Sequence, residues 1–408
     1  MNDVKRNLSI LALFAAICFL IAAFDNFNGL SDLSKIRIFL SAQRNGLSPD
    51  DPVRLAVNMP DGNTYYWQNL LGTVEKAGKY VAMDLSGSTM TSFNPVASLS
   101  TGKKFIVSLT LPNTIVSIPV GTVSSDGGFT ATFQHFANLK SVRFPAAATL
   151  SDNPFVGCTS LTSFLLTGSG TLSAIEGGRM LIRNGNELVS YPSASGSIAY
   201  DNITSIARGA FMDCPGLQTV SFPAVTSVRD AVFIGCTGLE TVSLPAVTSI
   251  GDAAFSDLTL LRNVNIPTAA YIGKAAFNGC TSLETVNIPA ATFIGEDTFR
   301  NTGTTSLTVT MGATPPSVDI TLFYEVSRTK NVTVRIPSDA TGYGIAPAST
   351  NTQTLNWGNA FRGRGWNINN LDWRANNGYG PFYRPGTYNS RVNSNIRLTF
   401  ETYNPEGL

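Results

Sequence analysis

Phenylalanine returns at intervals of 22 residues, at Phe211, Phe233, Phe255, Phe277 and Phe299, and this spacing constrains the fold more than any other feature of the chain. Other residues keep step with it. Cys stands three residues after the ring (Cys214, Cys236, Cys280), Leu six after (Leu217, Leu239, Leu261, Leu283), Val nine after (Val220, Val242, Val264, Val286) and Pro twelve after (Pro223, Pro245, Pro267, Pro289). Two earlier units share a register, as Phe133, Leu139, Val142 and Pro145, then Phe155, Cys158, Leu161 and Phe164. A step of 56 residues from Phe155 to Phe211 interrupts the series. A unit this short cannot bury its own apolar positions, so the units must stack and pool them into one continuous core.

Within a unit, Leu217-Gln218-Thr219-Val220-Ser221-Phe222-Pro223 alternates apolar and polar residues and reads as a short strand with one buried side. Pro ends that strand, because it has no amide hydrogen to give to a ladder. The chain then returns through Val228, Ile250, Ile272 or Ile294 to the next Ala-Phe pair. Stacking places like over like, giving Phe, Leu and Val ladders inside. Thr219, Ser221, Thr241, Ser243, Asn263, Asn265, Thr285 and Asn287 must then form a polar ladder on one face.

The composition agrees with such a body. Charged residues make up 13% of the chain, roughly half of the usual share of about 25%, and Thr, Ser, Asn and Gly fill the polar positions. A net charge of +1 gives no field to recruit nucleic acid or an anionic membrane surface, so neither is an expected partner. Length alone would allow two or three domains in 408 residues, but an array grows in one dimension and needs no such division.

Residues 1–30 read as a signal peptide or membrane anchor. Lys5 and Arg6 precede an apolar run from Leu8 to Phe24, broken by Ser9, with Ala22 and Ala23 near a cleavage point. About 17 residues is also the lower limit for a membrane span, and Cys18 raises lipoprotein processing as a third option, against which Ile17 and Phe19-Leu20-Ile21 argue. Each option places the repeats outside the cytoplasm, exported and either secreted or held at the cell surface. The remaining cysteines, Cys158, Cys214, Cys236 and Cys280, share one repeat position that Leu258 also occupies, so the slot is interior and apolar and the thiols are expected to be buried. A Cys214–Cys236 bridge between adjacent turns is conceivable by distance, but parallel side chains in a ladder disfavour it. No Cys-x-x-Cys or paired His suggests zinc, and no metal or cofactor is expected.

The expected organisation is an N-terminal cap of mixed α/β structure over residues 31–110, a solenoid over 111–315 with a hairpin insertion near 168–202, and an aromatic-rich β module over 316–408. In the cap, Trp67, Leu70, Leu71 and Val74 form one helical stripe closed by Gly78, and Tyr80–Leu85 reads as a strand. Ile106 to Pro112 resembles the strand part of a repeat that lost its Phe and Cys half. Met180 to Val189 carries Asn184-Gly185 between apolar runs, the strongest short hairpin pattern, in a segment that leaves the array after Leu166 and rejoins it near Ile203. Pro315-Pro316 marks the last boundary. Beyond it Trp357, Phe361, Trp366, Trp373, Tyr379, Phe382, Tyr383 and Tyr388 crowd a Gly- and Asn-rich background.

The unit Ile272-Gly273-Lys274-Ala275-Ala276-Phe277-Asn278-Gly279-Cys280-Thr281-Ser282-Leu283-Glu284-Thr285-Val286-Asn287-Ile288-Pro289 resembles the BspA-like leucine-rich repeat family of bacterial surface type, over roughly residues 130–311. The resemblance implies an irregular solenoid with a parallel β face, display at a bacterial or protozoan cell surface, and adhesion or binding of host proteins. It implies no catalytic residues. Leu258 in the Cys slot, the hairpin and the small number of full units depart from the pattern.

An enzyme is not expected. His135 is the one histidine, two residues after Phe133 where the units vary, and no nucleophile elbow, zinc-binding His-Glu-x-x-His or phosphate loop is present. Glu296 and Asp297 sit in a turn where solvation is the default. Two surfaces compete for a protein or glycan ligand. One is the strand face, with Arg143, Thr219, Ser221, Thr241, Ser243, Asn263, Asn265, Thr285 and Asn287. The other is the C-terminal module, where Trp366, Trp373 and Tyr383 stand with Arg364, Arg374 and Arg384. Solvated sheet residues and buried aromatics are the plain alternatives to each. The sequence therefore reads as a non-catalytic cell-surface or secreted adhesion protein. Its rivals are a carbohydrate-binding accessory protein and a passive envelope component.

Overall fold

The structure, a computed structural model, describes residues 32–59, 64–93, 101–119, 131–302, 306–314, 316–318, 331–337, 386–389 and 397–403. It is a β-rich repeat solenoid whose neighbouring turns lie one 22-residue repeat apart. Strands Leu217–Ser221, Thr241–Ser243, Asn263–Asn265, Thr285–Ile288 and Ser306–Met311 pair parallel and in register. Gly196–Ala199 begins this sheet, while Asn331–Pro337, Arg397–Tyr403 and Gly386–Asn389 continue it, the last antiparallel. The 316–408 segment thus adds its described strands to the solenoid sheet itself. A second sheet takes the two-residue strands Ser205–Ile206, Ser227–Val228, Ser249–Ile250, Tyr271–Ile272, Phe293–Ile294 and Ser317–Val318.

The recurring phenylalanine makes the core. Phe211, Phe233, Phe255, Phe277 and Phe299 are fully buried, and successive rings stack at 5.2, 5.3, 5.3 and 5.8 Å with planes within 14° of parallel. Phe133 and Phe155 form an earlier pair at 4.7 Å. The four thiols among the described residues are free and buried, and three of them reach back one turn alike: Cys158 Sγ donates to the Phe133 carbonyl (3.2 Å), Cys236 to Phe211 (3.0 Å) and Cys280 to Phe255 (3.0 Å). Burial raises the Cys280 thiol pKa to about 12 and those of Cys158 and Cys236 further.

The position two residues after the ring varies in identity but not in backbone. His135, Gly157, Asp213, Gly235, Asp257, Gly279 and Asn301 all have φ between 53° and 77°, the left-handed turn that carries the chain out of the Phe column. A side chain on Gly235 would also collide with the Asp213 carboxylate of the turn below, 2.5 Å from an added Cβ, which accounts for the alternation of Asp and Gly.

Two helices open the described part of the chain. Helix α1 (Leu33–Ala42) is capped by Asp32, which accepts from Ser34 N at 2.8 Å. Helix α2 (Thr64–Ala77) buries Trp67, Leu70, Leu71 and Val74 and stops at Gly78, where φ is +61° and the N–H bonds to the Val74 carbonyl at 3.1 Å. Strands Val53–Ala56, Val81–Asp84, Ile106–Thr110, Ser141–Pro145 and Ser163–Thr167 form one parallel sheet. Ile106–Thr110 is a repeat strand in register with Ser141–Pro145, which puts Lys103 in the Cys slot of that turn. It is fully buried, with Nζ 3.1 Å from the Gln134 carbonyl and 5.6 Å from the Phe136 ring centre.

Between Phe155 and Phe211, Leu172–Ile175, Met180–Arg183 and Glu187–Ser190 make an antiparallel meander. Asn184 and Gly185 take φ of 51° and 80°, as a tight hairpin turn requires, and Asn186 N–H closes on the Arg183 carbonyl at 3.2 Å. The segment does not leave the array, because Glu187–Ser190 pairs parallel with Ser205–Ile206 and becomes part of the short-strand sheet. The turn after the meander is a disguised repeat. Tyr191 takes the ring position, with Cys214 Sγ 3.3 Å from its carbonyl, Ala194 lies where Cys would be, and Ile198 aligns with Val220.

Candidate binding surfaces

Register turns the polar strand residues into two columns. Thr219, Thr241, Asn263, Thr285 and Thr308 form one, and Ser221, Ser243, Asn265, Asn287 and Thr310 the other. Alternation aims them outward while Val220, Val242, Val264 and Val286 point into the core. Thr241, Ser243, Asn263, Asn265 and Thr285 are exposed, and Thr219, Ser221 and Asn287 are half-buried. Adjacent turns are also tied side chain to side chain: Thr285 Oγ1 donates to Asn263 Oδ1 (2.6 Å) and Asn287 Nδ2 to Asn265 Oδ1 (2.8 Å). The Asn287 Oδ1 atom, buried, has no hydrogen-bond partner among the described residues.

Arg143 is exposed but lies apart from the other strand-face residues. It sits in the N-terminal sheet, paired with Thr110 and Leu165, on the far side of the meander that separates the two long-strand sheets. Trp366, Trp373 and Tyr383 lie outside the described residues, as does the 1–30 segment. Among the described residues no helix is long and apolar enough to cross a membrane, and no group of three His, Cys, Asp or Glu side chains is placed to hold a metal ion. The His135 ring is exposed and makes no hydrogen bond or ion pair among the described residues.

One surface feature escapes the sequence pattern. On the short-strand sheet the outward column runs Ser205, Ser227, Ser249, Tyr271, Phe293, Ser317. Tyr271 and Phe293 are 44% and 38% exposed, and their rings stack 4.9 Å apart at 6°. They vary where other units carry Ser, so spacing gives them no weight; only the comparison of column neighbours could have singled them out.

Residues 194–337 match the model of the BspA type leucine rich repeat region, in six copies, over less than half of the chain. The match begins at Ala194, in the turn that Tyr191 opens, and confirms the repeat type. Similar solved structures include a leucine-rich repeat protein from Eubacterium ventriosum (15% identity, TM-score 0.43, 76% of this chain and 89% of that one). The pneumococcal vaccine antigen PcpA (16%, 0.39, 62% and 81%) and a leucine rich cell surface protein from Faecalibacterium prausnitzii (21%, 0.35, 56% and 65%) are also similar. None of the curated proteins matches the chain.

Proposed function

We propose that this chain, a carrier of BspA-type leucine-rich repeats, is an exported, non-catalytic protein that holds a protein partner along its long-strand face at a cell surface. The observation behind this reading is the pair of in-register polar columns from Thr219 to Thr308 and from Ser221 to Thr310. An extended partner lying along them meets a neutral hydrogen-bonding group about every 4.8 Å, the spacing of adjacent strands. Inter-turn bonds at Thr285 and Asn287 hold those groups in place before a partner arrives, which lowers the ordering cost of binding.

The test is binding of the purified protein to intact host epithelial cells. Thr241→Lys with Asn265→Lys, which places charge and bulk in both columns, should reduce binding roughly tenfold or more without shifting the melting temperature. Protease stripping of the target cells should abolish binding by the unaltered chain. Equal binding by the altered protein would remove the strand face from consideration. Protease treatment of intact producing cells, followed by blotting, checks surface display: digestion without lysis is the expected result.

A further inference from the structure

The exposed Tyr271–Phe293 pair lies on a different sheet from the proposed protein-binding face. Two stacked rings each cover one face of the other and leave one face uncovered. The uncovered face of Tyr271 is turned toward Ser249, and that of Phe293 toward Ser317, because the four residues follow one another in register. Serine is too small to complete the stack. Each end of the pair is therefore a shelf, with a ring as its wall and a serine as its floor, one ladder step of about 4.8 Å deep.

The chemistry around the shelves selects among occupants. Hydroxyls of Ser227, Ser249 and Ser317 have no hydrogen-bond partner among the described residues, and the column carries no charge between Ser205 and Ser317. Lys274 and Glu296, the charged side chains next along these two turns, are paired with each other at 2.8 Å. At the Ser249 turn the same position is Asp252, exposed, with its carboxylate accepting from the Lys274 N–H at 2.8 Å, so a single carboxylate borders that shelf while the column itself is neutral. A neutral sugar ring offers what the surface lacks, an apolar C–H face to lie against an aromatic ring and a rim of hydroxyls to bond to serines. We infer that the Tyr271–Phe293 pair is a binding platform for a neutral oligosaccharide, with one ring of the glycan over Ser249 against Tyr271 and another over Ser317 against Phe293.

Calorimetric titration of the full chain with maltohexaose, cellohexaose, xylohexaose and N-acetylchitohexaose tests this. The unaltered protein should bind at least one of them. Tyr271→Ala with Phe293→Ala should weaken that binding by roughly tenfold or more, since it removes both stacking faces. Ser249→Glu should weaken it as well by filling one shelf with charge, and Tyr271→Phe should retain it. Melting temperatures close to that of the unaltered protein show that the variants fold, as expected for exposed positions. Absence of binding to all four glycans would overturn the inference, and so would equal binding by the double variant. A double variant that loses only self-association in sedimentation, with glycan binding unchanged, would overturn it too and make the pair a contact between copies. Neither the long-strand face nor its partner enters this experiment, so the two readings fail separately.

Discussion

Phe255 shows what one residue does in a stacked array. Its ring is fully buried and lies 5.3 Å from Phe233 below and 5.3 Å from Phe277 above, so truncation opens a cavity that two neighbouring turns cannot close. Phe255→Ala should cost about 3–5 kcal/mol in urea denaturation; a loss below about 1 kcal/mol would mean the column does not carry the core. Lys103 occupies the Cys slot of an early turn, and burial lowers its pKa from 10.5 to about 8. The folded state therefore holds fewer protons than the unfolded chain between those values, and stability rises with pH across that window. Below pH 8 both states are protonated and the cost is complete. Replacing Lys103 with Met should stabilise the protein by roughly 2 kcal/mol at pH 7, after allowing for the lost bond to the Gln134 carbonyl, and by much less at pH 10. An equal gain at both pH values would show that the charge is not what burial penalises.

Elements are held together by contacts of unequal worth. Arg262 and Glu284, one repeat apart, pair at 2.6 Å but are 62% and 50% exposed, so water and entropy cancel most of the attraction. Arg183 and Glu187 span the hairpin with two bonds of 2.9 and 2.7 Å at 19% and 15% exposure, and Arg183 also donates to the Leu150 carbonyl, fastening the meander to the turn before it. Arg183→Met should therefore destabilise by about 1.5–3 kcal/mol and Arg262→Met by less than about 0.5 kcal/mol, both read from chemical denaturation. Similar losses at the two sites would show that the hairpin pair adds no more than an exposed one. The turn between these strands is legible from Asn184-Gly185, which supplies the two positive φ values by residue type. The next strand is not, because Gly196–Ala199 begins only five residues after Tyr191 and so breaks the repeat spacing.

At the scale of the whole molecule the buried side chains of the described residues form two cores, and the meander is the wall between them. Met180, Ile182 and Leu188 point into the core of the later repeats, and Leu181 and Val189 into the core shared by the cap and the earlier turns. Adjacent residues of one strand thus stabilise different halves. Hydrogen exchange should separate them: Ile182→Ala should speed exchange mainly over residues 203–250 and Leu181→Ala mainly over 131–167. Uniform acceleration by either would mean that the cores unfold as one unit. The spacing of Phe, Leu, Val and Pro by itself determined the solenoid, its buried columns and the residues that face outward, since a period of one turn leaves stacking as the only way to bury them. It also determined the cap helix, whose stripe is local. Tertiary structure alone decided that Arg143 stands apart from the other strand-face residues, that Lys103 ends in a thiol slot, that the hairpin strand completes a sheet, and that two aromatic rings meet in a column of serines. Each of these depends on which residues of different turns lie side by side. Insertions of unequal length between turns reset that pairing, and no single repeat carries the information to predict it.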